Sequence, residues 1–266
     1  MSVLRRRIVS GLIYGVVSLS AVCVGGVPFM GVVLAMALLG GREYQSMVAR
    51  SGYGPLRTMQ YGLTAFLVIA WAWLPPEVAQ GGLLLIFLSS LAWQLVRTSA
   101  SQQPYLDWAI TLAGGLYLGW LSAHFVLLRA LPGGLEWMLL ALAAAWSCDS
   151  FAYVCGRAWG RHSFFVGVSP HKTLEGALAG WLGGTLVVVL LGMALGLSVL
   201  WTLGLGLVCS LAAICGDLAE SLIKRQMGVK DSGGLVPGHG GVLDRMDSLL
   251  FVVVFVYYYV RLIPGG

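Results

Sequence analysis

Residues 174–195 read LEGALAGWLGGTLVVVLLGMAL, a single acidic residue in the opening turn followed by twenty residues without a charge. A helix needs about 20 predominantly apolar residues to cross the hydrocarbon core of a bilayer, and this stretch supplies them. The rest of the chain has the same character. Of its 266 residues 58% are hydrophobic and 10% charged, and the mean hydropathy is +0.86. A soluble domain carries about 25% charged residues, so this chain cannot cover a water-exposed surface, and its apolar surface must face lipid. The sequence therefore predicts an all-α integral membrane protein, a polytopic bundle in one membrane-embedded domain spanning 1–266.

Apolar runs between polar breaks give about nine transmembrane helices, at 8–26, 28–48, 57–74, 82–97, 107–130, 135–158, 174–195, 198–224 and 244–262, with eight and ten as neighbouring counts. The fifth has an alternative reading as two half-spans broken near Gly114-Gly115. Cytoplasmic loops are enriched in Lys and Arg. With the N-terminus cytoplasmic, 14 of the 16 basic residues fall on the inner side, and only Arg129 and Arg261 fall outside. The run after Met1–Arg7 resembles a signal peptide without its cleavage site and is read as a retained first span. Residues 1–130 read as apolar spans that serve packing, and 135–262 as helices that carry the polar cytoplasmic loops.

The net charge of +5 reads as a topology signal rather than as nucleic-acid binding. The five cysteines lie in apolar segments without CxxC or Cys/His zinc spacing, and read as small buried hydrophobes. Gly176, Gly180 and Gly184 recur every fourth residue, which lets a second helix approach closely.

The acidic residues are unevenly spread. Glu43, Glu77, Asp107 and Glu136 sit near span ends, where solvation is expected. Asp149, Glu175, Asp217, Glu220, Asp231, Asp244 and Asp247 crowd the second half, near cytoplasmic span ends. A carboxylate inside a membrane costs at least ~2.5–3.5 kcal/mol on insertion scales, so these are site candidates. Asp217 and Glu220 lie three apart on one helix face with Ser221 and Lys224, and Asp244 and Asp247 repeat the spacing at the start of the last span. Two such pairs joined by a short return can converge on a hard cation, Mg²⁺ or Mn²⁺ rather than Zn²⁺. The competing arrangement is a salt-bridge network of Asp217 and Glu220 with Lys224 and of Asp244 with Arg245. Between the pairs runs KDSGGLVPGHGG (230–241), with five glycines in twelve residues. Its backbone N–H groups can approach an anion closely, beside Lys224, Arg225 and Lys230. The Walker spacing is absent. Together these features resemble a triphosphate site, in which His239 reads equally as general base, phosphate donor or structural hydrogen-bonder.

A second polar cluster lies on the same side. Asp149-Ser150 interrupts the sixth span, with Tyr153, Arg157, Arg161 and His162 following. Ser169-Pro170-His171-Lys172-Thr173-Leu174-Glu175-Gly176 then opens the seventh. Pro170 and Thr173 suit a helix start. The helix N-terminus with Lys172 reads either as a phosphate cradle or as a plain N-cap beside a topology-setting lysine.

The run Ser221-x-x-Lys224-Arg225-x₄-Lys230-Asp231-x-Gly233, continuing to His239-Gly240-Gly241-x-x-Asp244-Arg245-x-Asp247, resembles the signature of phosphatidate cytidylyltransferases (CDP-diacylglycerol synthases). Val236 departs from the Leu, Ile or Phe usual there. Asp149–Tyr153 and Ser169–Gly176 are also similar to family segments, and the likeness is close over 145–250. The resemblance implies transfer of CMP from CTP to phosphatidic acid, giving CDP-diacylglycerol and pyrophosphate in phospholipid biosynthesis. It further implies Mg²⁺ dependence, with a second cation such as K⁺ or Mg²⁺ accommodated, a homodimer, and a cavity open to the cytoplasm. The family's metal aspartates carry over onto Asp217 and Asp244, with Glu220 the third metal candidate. Lys224, Arg225, Lys230, Asp231, His239 and Asp247 are the catalytic candidates. Asp149, Ser169, Lys172, Thr173, Glu175, Ser221, Gly240, Gly241 and Arg245 are the substrate-binding candidates. The expected setting is a bacterial inner membrane, with membrane lipid around the protein and no nucleic-acid partner.

Two other classes compete. A different CTP-dependent lipid-phosphate cytidylyltransferase or lipid kinase would share the loop and differ in its acceptor. An ion-coupled transporter would place carboxylates at the midplane and show two related halves, which the acid-poor first half and acid-rich second half do not.

Overall fold

A computed structural model describes residues 3–97, 101–235 and 240–263. All regular elements among them are helices: α1 (Val3–Val24), α2 (Gly26–Arg50), α3 (Arg57–Trp73), α4 (Pro76–Val96), α5 (Pro104–Arg129), α6 (Gly134–Trp159), α7 (Leu174–Ala194), α8 (Val199–Gln226) and α9 (Leu243–Leu262). Six of these, α2 and α4 through α8, are long and apolar enough to cross a membrane. Helix α3 has 17 residues, about 26 Å at 1.5 Å per residue, just short of the ~30 Å hydrocarbon core. Four charged residues, Asp244, Arg245, Asp247 and Arg261, lower the apolar character of α9. The protein is an integral membrane protein, with six spans evident by length and composition among the described residues.

The helices fall into two compact units. One comprises the residues up to Leu127 together with Met227–Asp244. The other comprises Leu128–Gln226 and the residues from Arg245 onward. The 227–244 segment, which contains the glycine-rich loop, thus belongs with the N-terminal helices.

In the first unit Leu63, Leu67, Trp108 and Leu112 form a buried core between α3 and α5. The indole of Trp108 donates to Ser90 Oγ on α4 at 2.8 Å. The break anticipated near Gly114-Gly115 is a π-helical turn at Leu116–Trp120, so α5 runs on as one rod instead of dividing into half-spans. Small residues accompany this turn because α3 crosses there. A Cβ on Gly115 would come within 2.6 Å of Leu63, and one on Gly119 within 2.8 Å of the Thr64 Cα.

In the second unit α7 lies along α6 at backbone distance. A Cβ on Gly176 would meet the carbonyl of Ala152 at 2.8 Å, and one on Gly180 the carbonyl of Cys148 at 2.8 Å. The fourfold glycine spacing is therefore a packing stripe, as its spacing suggests. Leu178, Leu182, Leu186 and Leu190, also spaced four apart, are exposed, which suits a lipid-facing stripe. Helix α8 meets α9 at Gly216, where a Cβ would stand 2.6 Å from the Asp247 carbonyl and 3.1 Å from the Ser248 Cα. At its other end the Trp201 indole donates to the Ile263 carbonyl at 3.0 Å. The cysteines are all free. Cys148 and Cys209 are buried, but Cys23 and Cys215 are exposed, so burial holds for only part of the set.

Candidate active site

The acidic residue Asp149 does not break α6, which continues unbroken to Trp159. Its side chain opens onto a cavity of about 520 Å³ in the second unit. Arg157, His171, Lys172, Thr173 and Asp217 line the same cavity, so residues from α6, the α6–α7 loop, α7 and α8 converge there. At its centre the ammonium of Lys172 pairs with Asp217 Oδ2. Both side chains are about 30% exposed, so the pair lies in the wall rather than in the packed interior. Asp149, Asp217 and Asp247 lie within electrostatic reach of one another, with Lys172 and Arg245 the cations facing Asp149. Asp149 and Asp217 line the cavity and Asp247 lies near them; carboxylates so placed repel, and such an arrangement persists where cations stand between them.

The cavity's upper wall is the loop 160–173, shaped by its own hydrogen bonds. The Phe164 N–H donates to the Lys172 carbonyl at 2.8 Å, and Leu174 N–H to the His162 carbonyl at 2.9 Å. Ser169 sits in a tight turn, its carbonyl accepting from Lys172 N–H at 3.1 Å. The Nε of Arg225 donates to the Val168 carbonyl at 3.1 Å. Glu175 clamps the loop's other end. Its Oε2 accepts from the N–H groups of Arg161 (3.1 Å) and His162 (3.3 Å), and its Oε1 bonds His162 Nδ1 at 2.5 Å. Thr173 is the N-cap of α7, its Oγ1 accepting from Gly176 N–H at 3.2 Å, as Ser and Thr do at helix starts. Thr173 thus caps the helix and also lines the cavity.

Glu220 is fully buried on α8, and Lys224 Nζ reaches its carboxylate at 2.5 Å across one helical turn. This is the ion pair that the competing salt-bridge arrangement foresees for these two residues. Ser221 beside it is half-buried.

In the first unit Lys230 and Asp231 are exposed. The carboxylate of Asp244, at the start of α9, accepts from Gly241 N–H at 2.7 Å, Ser232 Oγ at 2.9 Å and Ser232 N–H at 3.2 Å. Gly240 has φ +84, a backbone that side chains rarely adopt, and a Cβ there would stand 2.5 Å from Asp244 Oδ2. Val236 and His239 lie outside the described residues.

One residue near this loop escapes sequence reasoning. Glu43 on α2 and Asp107 on α5 are 4% and 1% exposed, so the expectation that both are solvated at span ends is corrected. Asp107 accepts from Gly54 N–H at 2.8 Å and from Ser101 Oγ, bracing the α2–α3 connection. Glu43 accepts from Val242 N–H at 3.0 Å and Leu243 N–H at 2.9 Å, with Ser232 Oγ at 3.2 Å. The signal available in the sequence was a carboxylate just after a paired small-residue step, Gly40-Gly41, where the apolar run of α2 ends.

No three His, Cys, Asp or Glu side chains among the described residues converge into a closed metal site. Mg²⁺ is usually held by one or two carboxylates plus substrate phosphates rather than by an all-protein cage. The all-oxygen donor at the cavity wall, Asp217, with its carboxylate already on a cation, fits that open mode. Glu220, enclosed and paired with Lys224, fits it less well.

Residues 5–263 match the cytidylyltransferase family. The chain is 33% identical to the phosphatidate cytidylyltransferase of Synechocystis, over 97% of both chains. It is 30% identical to the Bacillus subtilis enzyme of the same name, over 97% of this chain and 98% of the relative. It is also 32% identical to the chloroplastic phosphatidate cytidylyltransferase 5 of Arabidopsis thaliana, over 97% of this chain and 72% of the relative. This chain belongs to the cytidylyltransferase family.

Proposed function

We propose that the protein transfers CMP from CTP to phosphatidate, forming CDP-diacylglycerol and pyrophosphate. The observation that carries this reading is the cavity in which Lys172 pairs with Asp217 beside Asp149 and Arg157. A phosphate-bearing lipid and a triphosphate both need cations to gather them, and the cavity wall supplies Arg157 and Lys172. An oxygen of the lipid phosphate attacks the α-phosphorus of CTP. The bond from that phosphorus to the bridging oxygen of the β-phosphate breaks, and pyrophosphate leaves. The nucleophile is already anionic, so positioning and charge neutralisation dominate over base catalysis.

Asp217 and Asp244 are the residues that would hold Mg²⁺. When bound, the ion neutralises triphosphate oxygens and the departing pyrophosphate. Lys172 binds phosphate and holds Asp217 oriented. Lys224, Arg225 and Lys230 neutralise phosphate charge, with Glu220 holding Lys224, Asp231 and Asp247 orienting cations, and Arg245 binding substrate. His239 and Gly240 contribute donors to the nucleotide, while the Gly241 N–H fixes Asp244. The active form is a homodimer in the bacterial inner membrane, with the N-terminus and the cavity on the cytoplasmic side.

The test is incubation of detergent-purified protein with phosphatidate and each nucleoside triphosphate, using CTP labelled at the α- or the γ-phosphate. Label from the α-position in a lipid product, with release of pyrophosphate, is expected. Transfer of γ-label to lipid would make the protein a kinase and overturn the reading.

A further inference from the structure

The carboxylate of Glu43 stands where two separated pieces of backbone meet. One piece is Ser232-Gly233 and the other is Gly241-Val242-Leu243, on the two sides of the glycine-rich loop. Its oxygens accept from the N–H groups of Val242 and Leu243 at 3.0 and 2.9 Å. Leu243 opens α9 and Val242 immediately precedes it, so neither amide has a partner within the helix, and a carboxylate also suits the positive end of the helix dipole. Glycine is what admits the side chain. A Cβ on Gly233 would lie 2.6 Å from Glu43 Oε1, and one on Gly241 would collide with Glu43 Oε2 and Ser232 Oγ. The glycines at 233 and 241 therefore serve a protein carboxylate as well as any ligand.

Ser232 Oγ lies 3.2 Å from Glu43 Oε2 and 2.9 Å from Asp244 Oδ2. A hydroxyl has one proton, so it donates to one carboxylate at a time, and two acids share one donor. Asp244 is further fixed by the N–H of Gly241, the residue that Glu43 abuts. Every link between Glu43 and Asp244 therefore passes through one hydroxyl or one short piece of backbone.

We propose that Glu43 is a positioning residue for cytidylyl transfer, fixing the carboxylate of Asp244 through Ser232 and the amides of Val242 and Leu243. The proposal rests on the reading of Asp244 as a metal-holding aspartate. It gives the acid-poor N-terminal half of the chain an indirect part in the chemistry, through Asp244.

The test compares wild type with Glu43→Gln, Glu43→Ala, Glu43→Asp and Ser232→Ala, purified in detergent. Hydrogen–deuterium exchange is measured on metal-free protein, and kcat and KM are measured with saturating Mg²⁺. Glu43→Gln, nearly isosteric, is expected to raise exchange at Val242 and Leu243 about tenfold, because those amides lose a charged acceptor. It is also expected to lower kcat about 100-fold, the order of loss from a misplaced reacting group, with the KM for phosphatidate unchanged. Glu43→Asp restores part of both, and Glu43→Gln adds nothing to Asp244→Asn, since both act through one carboxylate. If Glu43→Ala fails to fold, Glu43→Gln and Ser232→Ala still decide. Unchanged exchange at Val242 and Leu243, or a kcat loss that multiplies with that of Asp244→Asn, overturns the proposal while leaving the enzyme reading standing. A wild-type protein inactive with every nucleoside triphosphate overturns both.

Discussion

Lys172, two residues before the start of α7, holds the carboxylate of Asp217 in the middle of α8. Neither residue lies in a tightly sealed interior, so both can change partner when a polyanion enters the cavity. On the proposed reading, the lysine of the free protein occupies the carboxylate that would hold the metal. Lys172→Met is therefore expected to lower kcat/KM for CTP by about 10²–10³-fold, the usual cost of removing one preorganised charge donor. Steady-state assay against CTP concentration checks this. Asp217→Asn combined with Lys172→Met should cost less than the product of the single losses, because contacting residues are coupled.

Metal removal gives a second expectation. Chelation with EDTA should abolish CMP transfer and added Mg²⁺ should restore it. Asp217→Asn and Asp244→Asn should each raise the Mg²⁺ concentration needed for half-maximal rate. Near-normal Mg²⁺-dependent turnover in either variant would remove that residue from the metal set.

Glu220 offers a sharper separation of roles. It is fully buried and paired with Lys224, and breaking a buried pair by removing one partner costs about 3–5 kcal/mol. Glu220→Gln should therefore lower the thermal midpoint in detergent markedly, while the Mg²⁺ concentration dependence of the residual activity stays where it is in the wild type. A displaced Mg²⁺ dependence with an intact melting curve would instead make Glu220 a metal ligand.

The clamp made by Glu175 predicts a loop effect. Glu175→Gln weakens its hold on His162 and on the Arg161 and His162 amides. The segment 160–173 should then exchange deuterium faster, and the KM for CTP should rise more than kcat falls, because this loop carries Lys172 into the cavity. Equal exchange in variant and wild type would refute the clamp.

Packing supplies the fifth case. Gly180→Leu forces a side chain against the Cys148 carbonyl, where even a Cβ would sit at 2.8 Å. Overpacking of this kind costs about 1–3 kcal/mol or more, read as a lowered thermal midpoint. Leu186→Ala on the exposed stripe should leave it unchanged.

Local signals were the readable ones. The apolar runs located the helices, the glycine period marked the face of α7 that a second helix approaches, and Pro170 with Thr173 located the start of α7. Asp149 and Asp217 stand out as carboxylates in apolar spans and Lys172 as a cation at a helix start, and the three share one cavity. What could not be read depends on distant partners. Glu43 bonds residues 189, 199 and 200 positions away, so no window around it reveals that it is buried. Glu175 looked like a ligand contact because its loop partners are 13 and 14 residues upstream. The double glycine at 114–115 correctly marked an irregularity, but periodicity does not distinguish a broken helix from a widened turn.

That widened turn has a consequence for how the chain tolerates change in length. An α-helix advances about 100° per residue, so losing or gaining a residue ordinarily rotates everything beyond it onto a new face. A π turn holds one residue more than an α turn. Deleting a single residue within Leu116–Trp120 would let the turn relax to regular α geometry, with Trp108 and Leu112 before it and Ser122 and Phe125 after it keeping their present sides. The same deletion two turns earlier in α5 would have no slack to absorb it.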